Sequence, residues 1–293
     1  MINWPENLVD MIARRKCILF LGAGISANSS NGQGKRPATW EQFLISIVKK
    51  RDDKLHEHDS IIQRLINEKD YLTACEIIVD VIGEAVFGEL AADEFRRPGY
   101  KPSEIHRLIY ALDSRIVITP NIDKIYEQYA THESNSTVVV KSYYEEDIAK
   151  YLRTNDYLII RAHGQVDDNR RVIFTHKQYS EARNKYSSFY KLLDALILTH
   201  TFVFLGCGIN DPDIKLTLEN SNFLYPNCLP HYFITAEDTY ESDIEAVLRN
   251  NRNLELLKYE NSDGKHTKLQ EELQRLTEIV DEKRIKIMEN QTW

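Results

Sequence analysis

Residues 16–26 read Lys-Cys-Ile-Leu-Phe-Leu-Gly-Ala-Gly-Ile-Ser, an apolar run that ends on two glycines. A continuous apolar run of this length predicts a strand covered on both faces, as in a parallel sheet. The glycines behind it allow backbone to come close to something else. Gly22-Ala23-Gly24-Ile25-Ser26-Ala27 satisfies G-x-G-x-x-G/A after a strand, the pattern that delivers a helix N-terminus to a pyrophosphate. The same spacing also serves any tight strand-to-helix turn. The rest of the chain must decide between the two.

Working outward, strand signals recur at 115–118, 137–140, 157–160, 201–205, 231–234 and 254–257, with helical patterns between most of them. This alternation predicts an α/β fold, a Rossmann-like and mostly parallel sheet with helices on both faces. Ligands of such sheets sit beyond the carboxyl ends of the strands. Residues 6–15 predict a short helix, and Thr39-Trp40-Glu41-Gln42 a helix start of the capping-box type. From there to Leu112 the periodicity is almost wholly helical. We read about 40–112 as an inserted helical module that covers a pocket, within a single domain spanning 1–293. A last helix is predicted over about 265–288, with a narrow apolar stripe at Leu269, Leu273, Leu276 and Val280. Such a stripe suits packing on its own domain or a two-helix seam with a second subunit or partner.

The chain has 293 residues, 42% apolar and 28% charged, the balance of a globular protein with a core large enough for a pocket. Its formal net charge is −8 with no long basic run, which argues against a surface built for duplex nucleic acid. Cys17, Cys75, Cys207 and Cys228 are scattered and form no C-x-x-C pair, so no metal site is expected. The amino terminus lacks a signal-peptide pattern, and no segment approaches the roughly 20 apolar residues of a membrane span. A cytoplasmic protein is the expectation.

The strand ends carry the chemistry. A dehydrogenase fingerprint calls for an acidic residue about 20 positions on, at the end of a second strand. Glu41 is at that distance, but it starts a helix between Trp40 and Phe43, which disfavours hydride transfer. The second strand end reads Thr119-Pro120-Asn121-Ile122-Asp123, where an amide and a carboxylate could bind a sugar and place a water. Either one also suits a cap for the helix that begins near Lys124. The third strand end is followed by His163-Gly164, and the fourth by Gly206-Cys207-Gly208-Ile209-Asn210-Asp211-Pro212-Asp213. Asp211 and Asp213 precede a helix, where capping competes with any binding role. Cys207 fits a small buried residue.

Taken in order, GAG-x-S, T-x-N-x-D, HG and G-x-G resemble the sirtuin superfamily over roughly residues 16–260. The resemblance implies that Gly22, Ala23, Gly24 and Ser26 approach the phosphates of NAD. It implies Thr119, Asn121 and Asp123 at the nicotinamide ribose and His163 as the catalytic base. Gly206, Cys207, Gly208 and Asn210 would then lie on the adenosine side. Departures from the deacylating branch are equally informative. The Gly-Ile-Pro-x-Phe-Arg segment is replaced by NSSNGQGKRPATWEQF, Pro120 stands where Gln is usual, and the paired zinc cysteines are absent. With Ile173–Ala182 after the His-Gly pair and with GCGINDPDI, the chain looks like the sirtuin-like NADases of prokaryotic antiphage defence. That resemblance implies NAD as substrate, no metal, and cleavage to nicotinamide and ADP-ribose that depletes cellular NAD. It also implies gating, through a homo-oligomer, a small-molecule signal or a partner such as a HerA-type hexameric ATPase. The same site would serve an NAD-dependent deacylase or ADP-ribosyltransferase, or a non-catalytic sensor of NAD or ADP-ribose.

Overall fold

A computed structural model describes residues 1–50, 55–208 and 212–290. Seven strands form one sheet: β1 (Cys17–Leu21), β2 (Ile116–Thr119), β3 (Val139–Ser142), β4 (Leu158–Arg161), β5 (Thr201–Leu205), β6 (His231–Ala236) and β7 (Leu254–Tyr259). Their order is β3-β4-β2-β1-β5-β6-β7, and every pairing is parallel. The chain builds outward from β1 to one side through β2 to β4, then crosses to the other side for β5 to β7. Strand order therefore reverses at β1, between β2 and β5, where open α/β sheets leave a crevice at the carboxyl ends. The Rossmann-like α/β class read from the sequence is the class observed. β3 begins two residues later than its sequence signal, because Thr137 is held in the preceding turn through its hydroxyl bond to Ser134 O (2.8 Å).

The helices of the first half are α1 (Glu6–Ala13), α2 (Ala23–Ser26), α3 (Trp40–Lys49), α4 (Asp59–Asn67), α5 (Tyr71–Ile82), α6 (Glu84–Phe95) and α7 (Glu104–Ala111). Those of the second half are α8 (Ile125–Glu133), α9 (Ile148–Tyr151), α10 (His176–Lys185), α11 (Ser187–Thr199), α12 (Pro212–Leu224), α13 (Ser242–Arg252) and α14 (Thr267–Asn290). Side chains alternate across the sheet, as the pleat demands. Cys17, Leu19 and Leu21 of β1 face a core formed with α1, α7, α8 and α14, while Ile18 and Phe20 face α10 to α13. Both layers are buried, which explains why β1 reads as continuous apolar sequence instead of alternating.

The helices α3 to α6 build a third apolar cluster around Phe43, Leu44, Ile62, Ile78 and Phe87. It also takes in Ile122, Val166, Val172 and Phe174 from the segments beyond β2 and β4, so this module rests on the carboxyl edge of the sheet. α3 starts at a complete capping box: Thr39 Oγ1 accepts from Gln42 N (3.2 Å), and Gln42 Oε1 accepts from Thr39 N (3.0 Å). α7 follows the module in sequence yet packs with α1 and α14 through Ile105, Leu108 and Ile109. The apolar stripe of α14 at Leu269, Leu273, Leu276 and Val280 is buried in that same core.

Candidate functional site

The first and fourth strand-end loops pack backbone against backbone at the crevice. Gly22 N donates to Leu205 O (2.9 Å) and Gly24 N to Gly206 O (2.7 Å). A Cβ on Gly22 would stand 2.5 Å from Gly206 O, and one on Gly206 would stand 2.6 Å from Ile25 N. Gly206 also has φ +61, the left-handed region in which a side chain is strained. These glycines are thus required by one another before any ligand is considered. Ala23, Gly24 and Gly208 lie on the exposed rim. Cys207 is partly buried there, and Asn210 and Asp211 lie outside the described residues, as does the side chain of Asp213.

The second strand end is held from below. Thr119 is buried, and its hydroxyl donates to Leu21 O (2.7 Å) while accepting from Asn121 N (3.1 Å). β2 is therefore latched to the end of β1, and the backbone turn at Asn121 is set. Asn121 Nδ2 donates to Ser26 Oγ (3.1 Å), which directs the amide Oδ1 away from Ser26. The buried Ser26 hydroxyl bonds in turn to Asp123. Asp123 Oδ1 accepts from Ile125 N (2.9 Å), so this carboxylate also holds the first turn of α8, the capping role open in the sequence. Burial pushes the Asp123 pKa up; Ile125 N–H, the Ser26 hydroxyl and the Arg161 charge oppose that rise.

Arg161 is the residue the sequence reading missed. It ends β4, is 4% exposed, forms an ion pair with Glu127 of α8 and donates to Gln165 Oε1. Burial lowers its pKa to about 10, opposed by the charges of Asp167 and Asp123, so it remains a cation at neutral pH. Ser26, Thr119, Asn121, Asp123, Glu127 and Arg161 together line one small pocket. A charged residue closing the apolar run Leu158-Ile159-Ile160, two positions before His163, was the available signal.

His163 belongs to the adjacent loop and does not line that pocket. Thr119 pairs with Arg161 across β2 and β4, and Asn121 and His163 each lie two residues beyond that pair. They leave neighbouring strands at matched height. Ala162 N donates to Thr119 O (2.8 Å) and Val166 N to Ile122 O (3.0 Å), so the two loops remain joined past the sheet. His163 is 7% exposed and its Nε2 lies 3.0 Å from Tyr179 OH, a residue of α10 absent from the sequence-derived candidates. Among the described residues there is no group of three or more His, Cys, Asp or Glu arranged to hold a metal, and no helix is long and apolar enough to cross a membrane.

A parallel sheet with its switch point at β1, and with polar side chains gathered beyond β1, β2 and β4, defines a Rossmann-like α/β protein with a strand-end site. Comparison with known proteins adds what the chain is similar to. Residues 115–257, which hold Asn121, Asp123, Arg161, His163 and the Gly206 loop, match the model of the SIR2-like domain. It is 27% identical over 219 residues to Defense-associated sirtuin 2 of Bacillus subtilis, covering 73% of this chain and 20% of that protein. It is 27% identical over 245 residues to the NAD(+) hydrolase ThsA of Enterococcus faecium, covering 82% of this chain and 47% of the relative. The ThsA of Acinetobacter baumannii is 23% identical over 236 residues, covering 78% and 44% respectively. The chain thus spans between a fifth and a half of the length of these curated relatives.

Proposed function

We propose that this chain is an NAD+ hydrolase that cleaves the bond between nicotinamide and ribose, releasing nicotinamide and ADP-ribose in the cytoplasm as part of antiphage defence. The observation that carries this reading is the chain of bonds from Asn121 through Ser26 to Asp123 at the switch point, with His163 at matched height on the next strand. The printed names of the ThsA relatives and of the defence-associated sirtuin support the substrate and the setting.

Breaking an N-glycosidic bond builds positive charge on the ribose ring, as in glycoside hydrolysis. Asn121, with Nδ2 committed to Ser26, offers Oδ1 to a ribose hydroxyl or to the attacking water. Asp123 fixes Asn121 through Ser26. His163 accepts the proton released as the water or hydroxyl reacts, work suited to an imidazole near neutral pH. The close approach of the Gly22 and Gly206 loops leaves Ala23, Gly24 and Gly208 at the rim for the phosphates.

Such an activity must be gated, and a homo-oligomer or a HerA-type ATPase partner would do so. For the homo-oligomer, the stripe of α14 is already taken by the chain's own core. Support comes instead from residues 220–230, which carry no charged side chain and expose Phe223 (86%), Leu224 (64%) and Leu229 (60%). Incubation of the purified chain with NAD+ and no acyl-lysine peptide tests the reading: nicotinamide release is expected. Release that appears only after such a peptide is added would replace hydrolysis with the deacylase reading.

A further inference from the structure

The residues behind His163 carry an assignment of their own. Its carbonyl accepts from Ile173 N (3.1 Å), and its Nε2 meets the hydroxyl of Tyr179 (3.0 Å), with the two rings edge to face at 5.1 Å. Tyr179 is itself 4% exposed, a buried hydroxyl against a buried imidazole. The helix that carries it is anchored to the helical module. Its capping box joins Thr175 and Gln178, Lys177 N donates to Glu76 Oε2 of α5 (3.2 Å), and Gln178 Nε2 donates to Glu84 Oε1 of α6 (3.4 Å). Just before the helix, the Phe174 ring stands edge-on to Trp40 and Phe87 of the module.

We propose that Tyr179 is the positioning residue for His163: its hydroxyl oxygen accepts the Nε2 proton, which leaves Nδ1 as the basic nitrogen and ties the imidazole to the module through α10. This rests on His163 acting as the base of the proposed hydrolysis. A neutral imidazole carries one proton, so the nitrogen that donates to a neighbouring oxygen holds it and the other nitrogen is the basic one. With Nε2–H bound to Tyr179, a proton taken up at Nδ1 yields an imidazolium whose Nε2–H bond becomes charge-assisted and stronger. Tyr179 thus fixes the tautomer, and it stabilises the charged form that the base must pass through. Because α10 hangs on α5 and α6, a shift of the module would move this partner away from His163 without disturbing the sheet.

The test is the Tyr179→Phe variant, which keeps the ring and removes only the hydroxyl. The imidazole ¹⁵N spectrum of the full chain at mildly alkaline pH, assigned by loss of signal in His163→Gln, is expected to show His163 protonated at Nε2 in the wild type and as a tautomer mixture in the variant. With NAD+ as substrate, kcat is expected to fall at least about tenfold, part of the 10²–10⁴ that a placed base contributes, with KM changed by less than about twofold. A wild-type spectrum protonated at Nδ1, or a variant with unaltered tautomer and kcat, overturns the assignment. The spectrum reads the Tyr179–His163 bond whether or not NAD+ is turned over. A wild type with the expected tautomer and no turnover therefore removes the hydrolase reading alone.

Discussion

Asn121 and Ser26 stand 95 positions apart in the chain, yet the Asn121 amide donates to the Ser26 hydroxyl at 3.1 Å. The contact exists because β1 and β2 are neighbours, with Phe20 paired to Ile118, and each chain leaves the sheet at the same edge. It determines which end of the amide is committed: Nδ2 is bound to Ser26, at the opposite end from Oδ1.

Ser26→Ala removes both the acceptor for Asn121 and the donor to Asp123. We expect a stability loss of about 1–2 kcal/mol and a fall in kcat larger than that in kcat/KM for binding-only variants, because the amide is free to rotate. Thermal melts and steady-state NAD+ turnover measure both. Full activity in Ser26→Ala would detach Ser26 from the site.

The glycine pair gives a contrast within one loop. Gly206→Ala places a Cβ 2.6 Å from Ile25 N at φ +61, whereas a Cβ on Gly208 meets none of the described residues within 4 Å. Gly206→Ala is expected to cost about 2 kcal/mol or more, and Gly208→Ala to stay within about 0.5 kcal/mol of wild type. Urea midpoints decide it. Loss of NAD+ binding in a stable Gly208→Ala would then assign that rim position to ligand.

Arg161 holds charge in a buried place and answers to Glu127 and Asp123. Arg161→Met leaves those carboxylates without their cation and should destabilise by about 3–5 kcal/mol; adding Glu127→Leu should recover part of the loss. A single-variant loss below about 1 kcal/mol would mean the pair is solvated, unlike the buried pair observed.

Two structural histidines set an acid limit. His231 and His106 are buried, and desolvation lowers each pKa to about 4; His231 Nδ1 accepts from Phe202 N (3.1 Å), while a backbone bond from His106 to Ser103 partly opposes its shift. A depressed histidine pKa stabilises the fold fully above the unfolded value near 6.5, and that contribution is lost as pH falls from there toward 4. Each should account for about 2 kcal/mol between pH 6.5 and 5. Denaturant midpoints compared at about pH 7 and pH 5 should diverge for the wild type and less so for His231→Asn. A wild type with equal midpoints would contradict the assignment.

Much of this fold is written locally. The five inner strands follow from short apolar runs such as Thr201–Leu205, which are buried nearly throughout because both faces of the sheet are covered there. Strand order is not legible, since it is set by which surfaces meet across long connections. For the same reason α7 looks like part of the helical module in sequence, its periodicity matching its neighbours, while Ile105 and Leu108 pack on the sheet. The stripe of α14 announces burial at Leu273 and Leu276 but not the partner, which proves to be α1 and α7. At the site, Asn121, Asp123 and His163 are visible as polar residues ending apolar runs. Arg161 hides as a strand terminus, and Tyr179 lies on a helix sixteen residues beyond its partner, where only the fold joins them.

The most direct measurement is chromatography of nicotinamide and ADP-ribose after incubation of purified wild type, Asn121→Ala and His163→Ala with NAD+, each checked for native folding by circular dichroism. The account predicts equal release of both products by the wild type and near-complete loss in both variants. A folded variant that keeps more than about a tenth of the wild-type rate contradicts the assignment of Asn121 or His163 to the chemistry, since a placed catalytic group contributes 10²–10⁴-fold.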